Sequence, residues 1–342
     1  MQARRIPRPY TCRPAPRRHF DPLPTLLSSI LVPLVPVILC IGIGYFTARM
    51  GWVRATAVPD LSNIVFLVLT PALLFRTMGN VRLQELDFQP VLLYFSAAAL
   101  LFGLTLAFSR FSTAAAARAL AHTFSNLVMI GAPLMGLVYG PQGLVTLFTL
   151  VSLHSLVLLT AATMVFELAE AREQQRTGSA APRPMAHTVW QAVRNSIVHP
   201  VPLPILAGLL FAQTGWKLPE MLDRPLQVLA AALGPIALLL VGIALAHTRI
   251  GNHWRGALRV AMIKNLALPA TLGTLAWALG LSGPAIAVMF TAAAMPVGAN
   301  VLLFTQRYGV MQEEVSSAIA LSTALALITL PVVLVLAQFF MH

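Results

Sequence analysis

"AAAMPVGANVLL" (residues 292–303) decides how the rest of the chain is read. It sits in a run, Asn265 to Gln306, that contains no Asp, Glu, Lys or Arg. A helix could cross a membrane there, yet the centre of the run carries Pro296, Gly298 and Asn300. Two of these are poor helix formers and the third is a polar amide. A chain this apolar has a reason to interrupt itself, and the search for that reason leads outward to its other half.

Of 342 residues, 58% are hydrophobic and only 10% are charged, with a mean hydropathy of +0.79. Soluble proteins carry roughly 25% charged residues, so a water-facing surface cannot be built from this composition. Residues 119–166 and 315–342 contain no charged side chain at all. Each run exceeds the roughly 20 residues a helix needs to span a hydrocarbon core about 30 Å thick. The fold class expected is an all-α polytopic membrane protein embedded in a lipid bilayer. The net charge of +12 fits basic loops rather than nucleic-acid binding, since no basic helix interleaved with aromatics is present. Two cysteines, Cys12 and Cys40, imply neither a disulfide framework nor a metal site. No cofactor is expected.

Hydropathy with Pro, Gly and charge breaks gives ten spans, at about 27–48, 60–78, 90–109, 119–139, 142–166, 198–214, 225–246, 257–280, 283–305 and 315–340. A polar connection, residues 167–197, separates a first five-helix unit (25–166) from a second (198–342), and a basic tail (1–24) precedes them. The tail is Arg/Pro-rich and reads as disordered, a dispensable extension or a segment ahead of the functional start. Loops after odd-numbered spans hold 13 basic residues and loops after even-numbered spans hold four. The positive-inside rule places the former in the cytoplasm and both termini outside. Six Arg in the tail count against that assignment. The location expected is the cell inner (plasma) membrane.

The two units echo each other. "GYFTARMGW" (44–52) faces "GLLFAQTGW" (208–216), with Gly44, Ala48, Gly51 and Trp52 each repeated 164 residues later. Pro71 and Leu74 repeat at the same offset, and Pro133 matches Pro296 at 163. Repeats with an odd number of spans must insert in opposite senses, which gives inverted repeats, an architecture of many secondary transporters. In such folds, broken helices cross near the midplane and expose backbone groups to substrate. Half-helix N-termini offer a positive dipole end to an anion. The matched breaks here are "SNLVMIGAPLMG" (125–136) in span 4 and "AAMPVGAN" (293–300) in span 9. Candidate substrate-binding residues are Asn126, Gly131, Pro133, Pro296, Gly298 and Asn300. The plainer alternative is a pair of Pro kinks.

Four stretches carry a family resemblance: "NIVFLVLTPALLF" (63–75), "SNLVMIGAPLMGLVYGPQGL" (125–144), "GPIALLLVGIAL" (234–245) and "AAAMPVGANVLLFTQRYG" (292–309). With them the chain resembles the auxin efflux carrier family, in its bacterial branch. The resemblance implies ten spans in two inverted repeats, crossed unwound helices in spans 4 and 9, and a cytoplasmic central loop. It implies Asn126, Gly131 and Pro133 at the first crossover and Pro296 with Asn300 at the second. Family members move organic anions, auxin in plants and malonate, malate or related carboxylates in bacteria. The short central loop departs from the long regulatory loop of many plant members.

All 11 acidic residues fall outside span centres, which argues against a carboxylate-driven antiporter. Potential-driven export of a monoanion is the reading favoured. An H⁺- or Na⁺-coupled carboxylate symporter and a non-transporting anion sensor are the alternatives. No HExxH, paired intramembrane Asp or exposed nucleophile with a base suggests an enzyme. Lys264, at the start of span 8, could attract an anion or serve as a snorkelling interfacial anchor. His154 in mid-span 5 and His122 in span 4 could relay a proton or pack by hydrogen bonding. Tyr139, Tyr308, Trp52 and Trp216 read as interfacial belt residues. The partners expected are a small organic anion and the bilayer, with a homodimer as the candidate assembly.

Overall fold

The computed structural model describes residues 23–82, 84, 86–177, 190 and 201–341. Nearly all of the basic tail and much of the 167–197 connection lie outside the described residues. Among the described residues eleven α-helices follow in chain order. They are α1 (Leu23–Arg49), α2 (Ala57–Met78), α3 (Gln89–Phe108), α4 (Thr113–Thr123), α5 (Ala132–Thr177), α6 (Pro202–Gln213), α7 (Glu220–His247), α8 (254–278), α9 (Pro284–Ala293), α10 (Asn300–Arg307) and α11 (Gln312–Ala337). No strand occurs among the described residues, and the single β-bridge joins Ser125 to Val297. Six stretches are long and apolar enough to cross a bilayer: Val32–Arg49, Ala57–Met78, Gln89–Phe108, Leu127–Glu173, Glu220–His247 and Gln312–Phe340. Pro202–Gln213 and Pro284–Ala293 are apolar but shorter. The chain is an all-helical, polytopic membrane protein.

Proline shapes the helices locally. Wide π-helical turns occupy Val65–Leu69, Leu127–Gly131 and Ile263–Ala267, and each is followed two residues later by Pro71, Pro133 or Pro269. A proline inside a helix removes one N–H and clashes with the preceding turn. Widening that turn by one residue relieves the clash while the helix continues. In α5 the break is sharper. Gly140 takes φ 64°, ψ −157°, a conformation suited to glycine, and Pro141 starts the helix again.

The helices pack through small residues, as expected where lipid offers no hydrophobic drive for association. A Cβ on Gly44 of α1 would overlap the Leu239 carbonyl oxygen of α7, and one on Gly242 of α7 would overlap the Ile41 carbonyl oxygen of α1. A Cβ on Gly208 of α6 would lie 2.7 Å from the Phe75 carbonyl oxygen of α2. Gly208 follows Gly44 by 164 residues, and Leu239 follows Phe75 by the same interval. One glycine-on-carbonyl contact thus occurs twice, with the two halves of the chain exchanging roles. Large apolar side chains such as Val32, Phe108, Leu210 and Ile328 project outward, an exposed surface that suits lipid rather than water.

Candidate functional site at the helix crossing

Two interrupted segments meet in the interior. The helix α4 stops at Thr123, and the chain runs extended through Phe124 before entering the π-helical turn Leu127–Gly131 that leads into α5. Similarly α9 stops at Ala293, and α10 starts at Asn300. The two breaks lie antiparallel: Asn126 N–H donates to the Pro296 carbonyl at 2.9 Å, and Gly298 N–H donates to the Phe124 carbonyl at 2.9 Å. Each break therefore supplies the other with the partners that its own helix no longer provides. Gly298 permits the approach, because a Cβ there would stand 2.6 Å from the Phe124 ring and 3.1 Å from the Ser125 carbonyl oxygen.

The outward N–H groups of the bridged pair are taken by side chains from other helices. Val297 N–H donates to Ser322 Oγ of α11 at 3.1 Å. Ser125 N–H points at His154 Nε2 of α5 at 3.5 Å. Tyr94 of α3 closes the arrangement, its hydroxyl 2.8 Å from Ser125 Oγ and 3.3 Å from His154 Nε2. The Phe124 ring lies 4.5 Å from the His154 ring. From α8, Asn265 donates to the Ser322 carbonyl at 2.8 Å. His122, buried at the end of α4, bonds Thr105 Oγ1 through Nδ1 at 3.0 Å.

The residues singled out from the sequence fall around this crossing in different ways. Asn126, Pro296 and Gly298 are inside it. Asn126 Oδ1 also caps the following helix, accepting from Met129 N–H at 3.3 Å. Among the described residues neither the Asn126 amide nitrogen nor the Asn300 side chain makes a hydrogen bond, and both residues are only partly buried. The two amides stand one at each helix start. Gly131 N–H donates to the Asn126 carbonyl at 3.2 Å, and a Cβ on Gly234 of α7 would stand 3.9 Å from Pro133 Cβ, so both shape the backbone rather than present polar groups.

Lys264 corrects an expectation. An interfacial anchor would reach water, yet this side chain is fully buried, with Nζ 2.7 Å from each of the Ala293 and Met295 carbonyl oxygens. Tyr139 and Tyr308 also differ from belt residues. The Tyr139 hydroxyl bonds Thr291 Oγ1 at 2.8 Å, while Tyr308 stacks on Phe166 and donates to Glu167 at 2.8 Å. Trp52 and Trp216 are exposed. Tyr94, Ser125 and Ser322 escaped sequence reasoning. Their signal was faint: a tyrosine one turn inside an apolar span and two serines within apolar runs, in a chain where many such groups merely bond their own helix.

Broken, paired helices inside an apolar helical body are an architecture found in many secondary transporters. The chain belongs to the family described as membrane transport protein, that of the auxin efflux carriers, whose model matches residues 29–334. A proposed malonate transporter of Rhizobium meliloti (strain 1021) is 26% identical over 311 residues, covering 89% of this chain and 94% of that protein. Auxin efflux carrier component 8 of Arabidopsis thaliana is 23% identical over 245 residues, covering 60% of this chain and 66% of that protein.

Proposed function

We propose that this protein is a secondary carrier of small organic anions that binds its substrate at the crossing, between the amides of Asn126 and Asn300. The observation that carries the reading is the antiparallel pairing of the two breaks, with one open amide at the start of each following helix. Amides donate to a carboxylate without a permanent charge that would trap it, and each helix N-terminus adds a positive dipole end. The likeness to proteins named for malonate transport and auxin efflux supports a carboxylate cargo.

The carrier has ten crossings in two inverted five-crossing repeats. The six long apolar stretches supply seven, because Gly140 divides Leu127–Glu173, and α6, α8 and the α9–α10 pair supply three. The doubled glycine-on-carbonyl contact supports the repeat. The central connection faces the cytoplasm of the inner membrane and both termini face outward. Export runs on membrane potential, since expelling a monoanion from a negative interior yields about 2.3 kcal/mol per 100 mV.

The test is flux of radiolabelled malonate in proteoliposomes. Asn126→Ala and Asn300→Ala are each expected to lower it markedly while both proteins still insert in the membrane; Asn300→Ala should unfold near wild type, whereas Asn126→Ala also loses the cap on Met129 N–H and should be destabilised by about 1 kcal/mol. Wild-type flux in both variants would remove the crossing from the substrate path.

A further inference from the structure

The C-terminal half of α1 carries a groove on its outer face. Ile38, Gly42, Ile43, Phe46 and Trp52 line a space of about 470 Å³. Gly42 keeps it open, since a Cβ added there would meet nothing within 4 Å. The helix end closes one side. Gly51 takes φ 77° and donates to the Ala48 carbonyl at 3.0 Å, while Trp52 N–H donates to the Thr47 carbonyl at 3.0 Å. This pair of bonds is a Schellman turn, which folds the residue after the glycine back toward the helix. Trp52 therefore lines the same groove as Phe46. Thr47 also borders it, but its hydroxyl donates to the Gly44 carbonyl at 2.9 Å, so the wall is apolar.

Positive charge stands at one end of this groove. Arg49 lies three residues beyond Phe46 and seven beyond Gly42, which places it on their helix face. Arg54 follows Trp52 by two residues. Both arginines are exposed, and neither makes an ion pair among the described residues. The second half of the chain lacks the whole arrangement. At the 164-residue offset Gly42 becomes Leu206, Arg49 becomes Gln213 and Arg54 becomes Leu218. Contact with bulk lipid needs neither the gap nor the charges, as the matching stretch of α6 shows.

An apolar groove ending at two unpaired arginines fits a molecule with an anionic head and a hydrocarbon tail. Guanidinium groups match phosphate oxygens in geometry as well as charge, and a tryptophan ring suits the headgroup level. We propose that the groove binds one anionic glycerophospholipid, its phosphate held by Arg49 and Arg54 and one acyl chain lying along Gly42. In the orientation proposed above, the site lies in the cytoplasmic leaflet, where anionic lipids attract basic residues. The binding claim itself does not depend on the carrier reading.

The experiment follows thermal unfolding of the purified full chain in neutral detergent as phosphatidylglycerol or phosphatidylcholine with the same acyl chains is added. Native mass spectrometry counts the lipids retained. For the wild type, phosphatidylglycerol should raise the midpoint saturably and leave one lipid tightly held, and phosphatidylcholine should do neither. Gly42→Leu copies the second half into open space, so it should unfold no lower than wild type without lipid and lose both effects. Arg49→Gln combined with Arg54→Gln should raise the half-saturating phosphatidylglycerol concentration about tenfold. Lys217→Gln, beside Trp216 in the other half, should leave it unchanged. Equal responses of the wild type to the two lipids overturn the proposal, and so does an unaltered phosphatidylglycerol shift in Gly42→Leu. A Gly42→Leu protein whose oligomeric mass falls in the absence of lipid also overturns it, because a second copy of the chain would then cover the groove. Absence of malonate flux leaves these binding readouts intact, so the carrier reading and the lipid site fail separately.

Discussion

At the residue scale, Gly298 sets the distance between the two breaks, since any Cβ there meets the Phe124 ring and the Ser125 carbonyl. The ring cannot simply rotate away, because it is buried against His154. Gly298→Ala is therefore expected to cost about 1–3 kcal/mol, the usual penalty for forcing a methyl into a packed interior. Thermal unfolding in detergent would register it as a lowered midpoint, and an unchanged midpoint would show that the crossing is looser than its geometry. Much of this site was legible in the sequence, because Pro296, Gly298, Asn300, Pro133 and Asn126 stand out against apolar surroundings. The burial of Lys264 was not. A lone lysine near the end of a hydropathy window looks the same whether it reaches water or a broken helix, and only the tertiary position of Ala293 separates the cases. Tyr94 and Ser322 were hidden for the same reason: their partners lie 31 and 25 residues away in the chain.

At the element scale, hydropathy marked the long helices but not how they bend. The π-helical turns ahead of Pro71, Pro133 and Pro269 follow from proline stereochemistry, although a sequence alone leaves open whether the helix widens or ends. The contact of α1 with α7 depends on Gly44 and Gly242, each facing main chain of the other helix. Backbone cannot yield as a side-chain tip can, so Gly242→Val must push the helices apart. The expected outcome is a large loss of folded protein in size-exclusion chromatography, whereas Gly103→Ala, at a position with open space around it, should behave as wild type. A monodisperse Gly242→Val protein of normal stability would contradict the close crossing of α1 and α7.

For the whole molecule, the repeat and the orientation make one joint prediction. Trp52 and Trp216 are exposed and 164 residues apart at matching places in the two halves, so inverted repeats put them on opposite faces. In a chain with Cys12 and Cys40 replaced, a membrane-impermeant maleimide should label Trp216→Cys on intact cells and Trp52→Cys only after permeabilisation. Labelling of both from one side would mean that the halves run in parallel. The central claim, that this molecule carries an organic anion through its crossing, is tested most directly by uptake of radiolabelled malonate into proteoliposomes with and without an imposed potential. The account predicts saturable uptake that rises when the receiving compartment is made positive. Binding of malonate and of a monocarboxylate without flux of either, at any potential, would contradict it and make the protein a sensor.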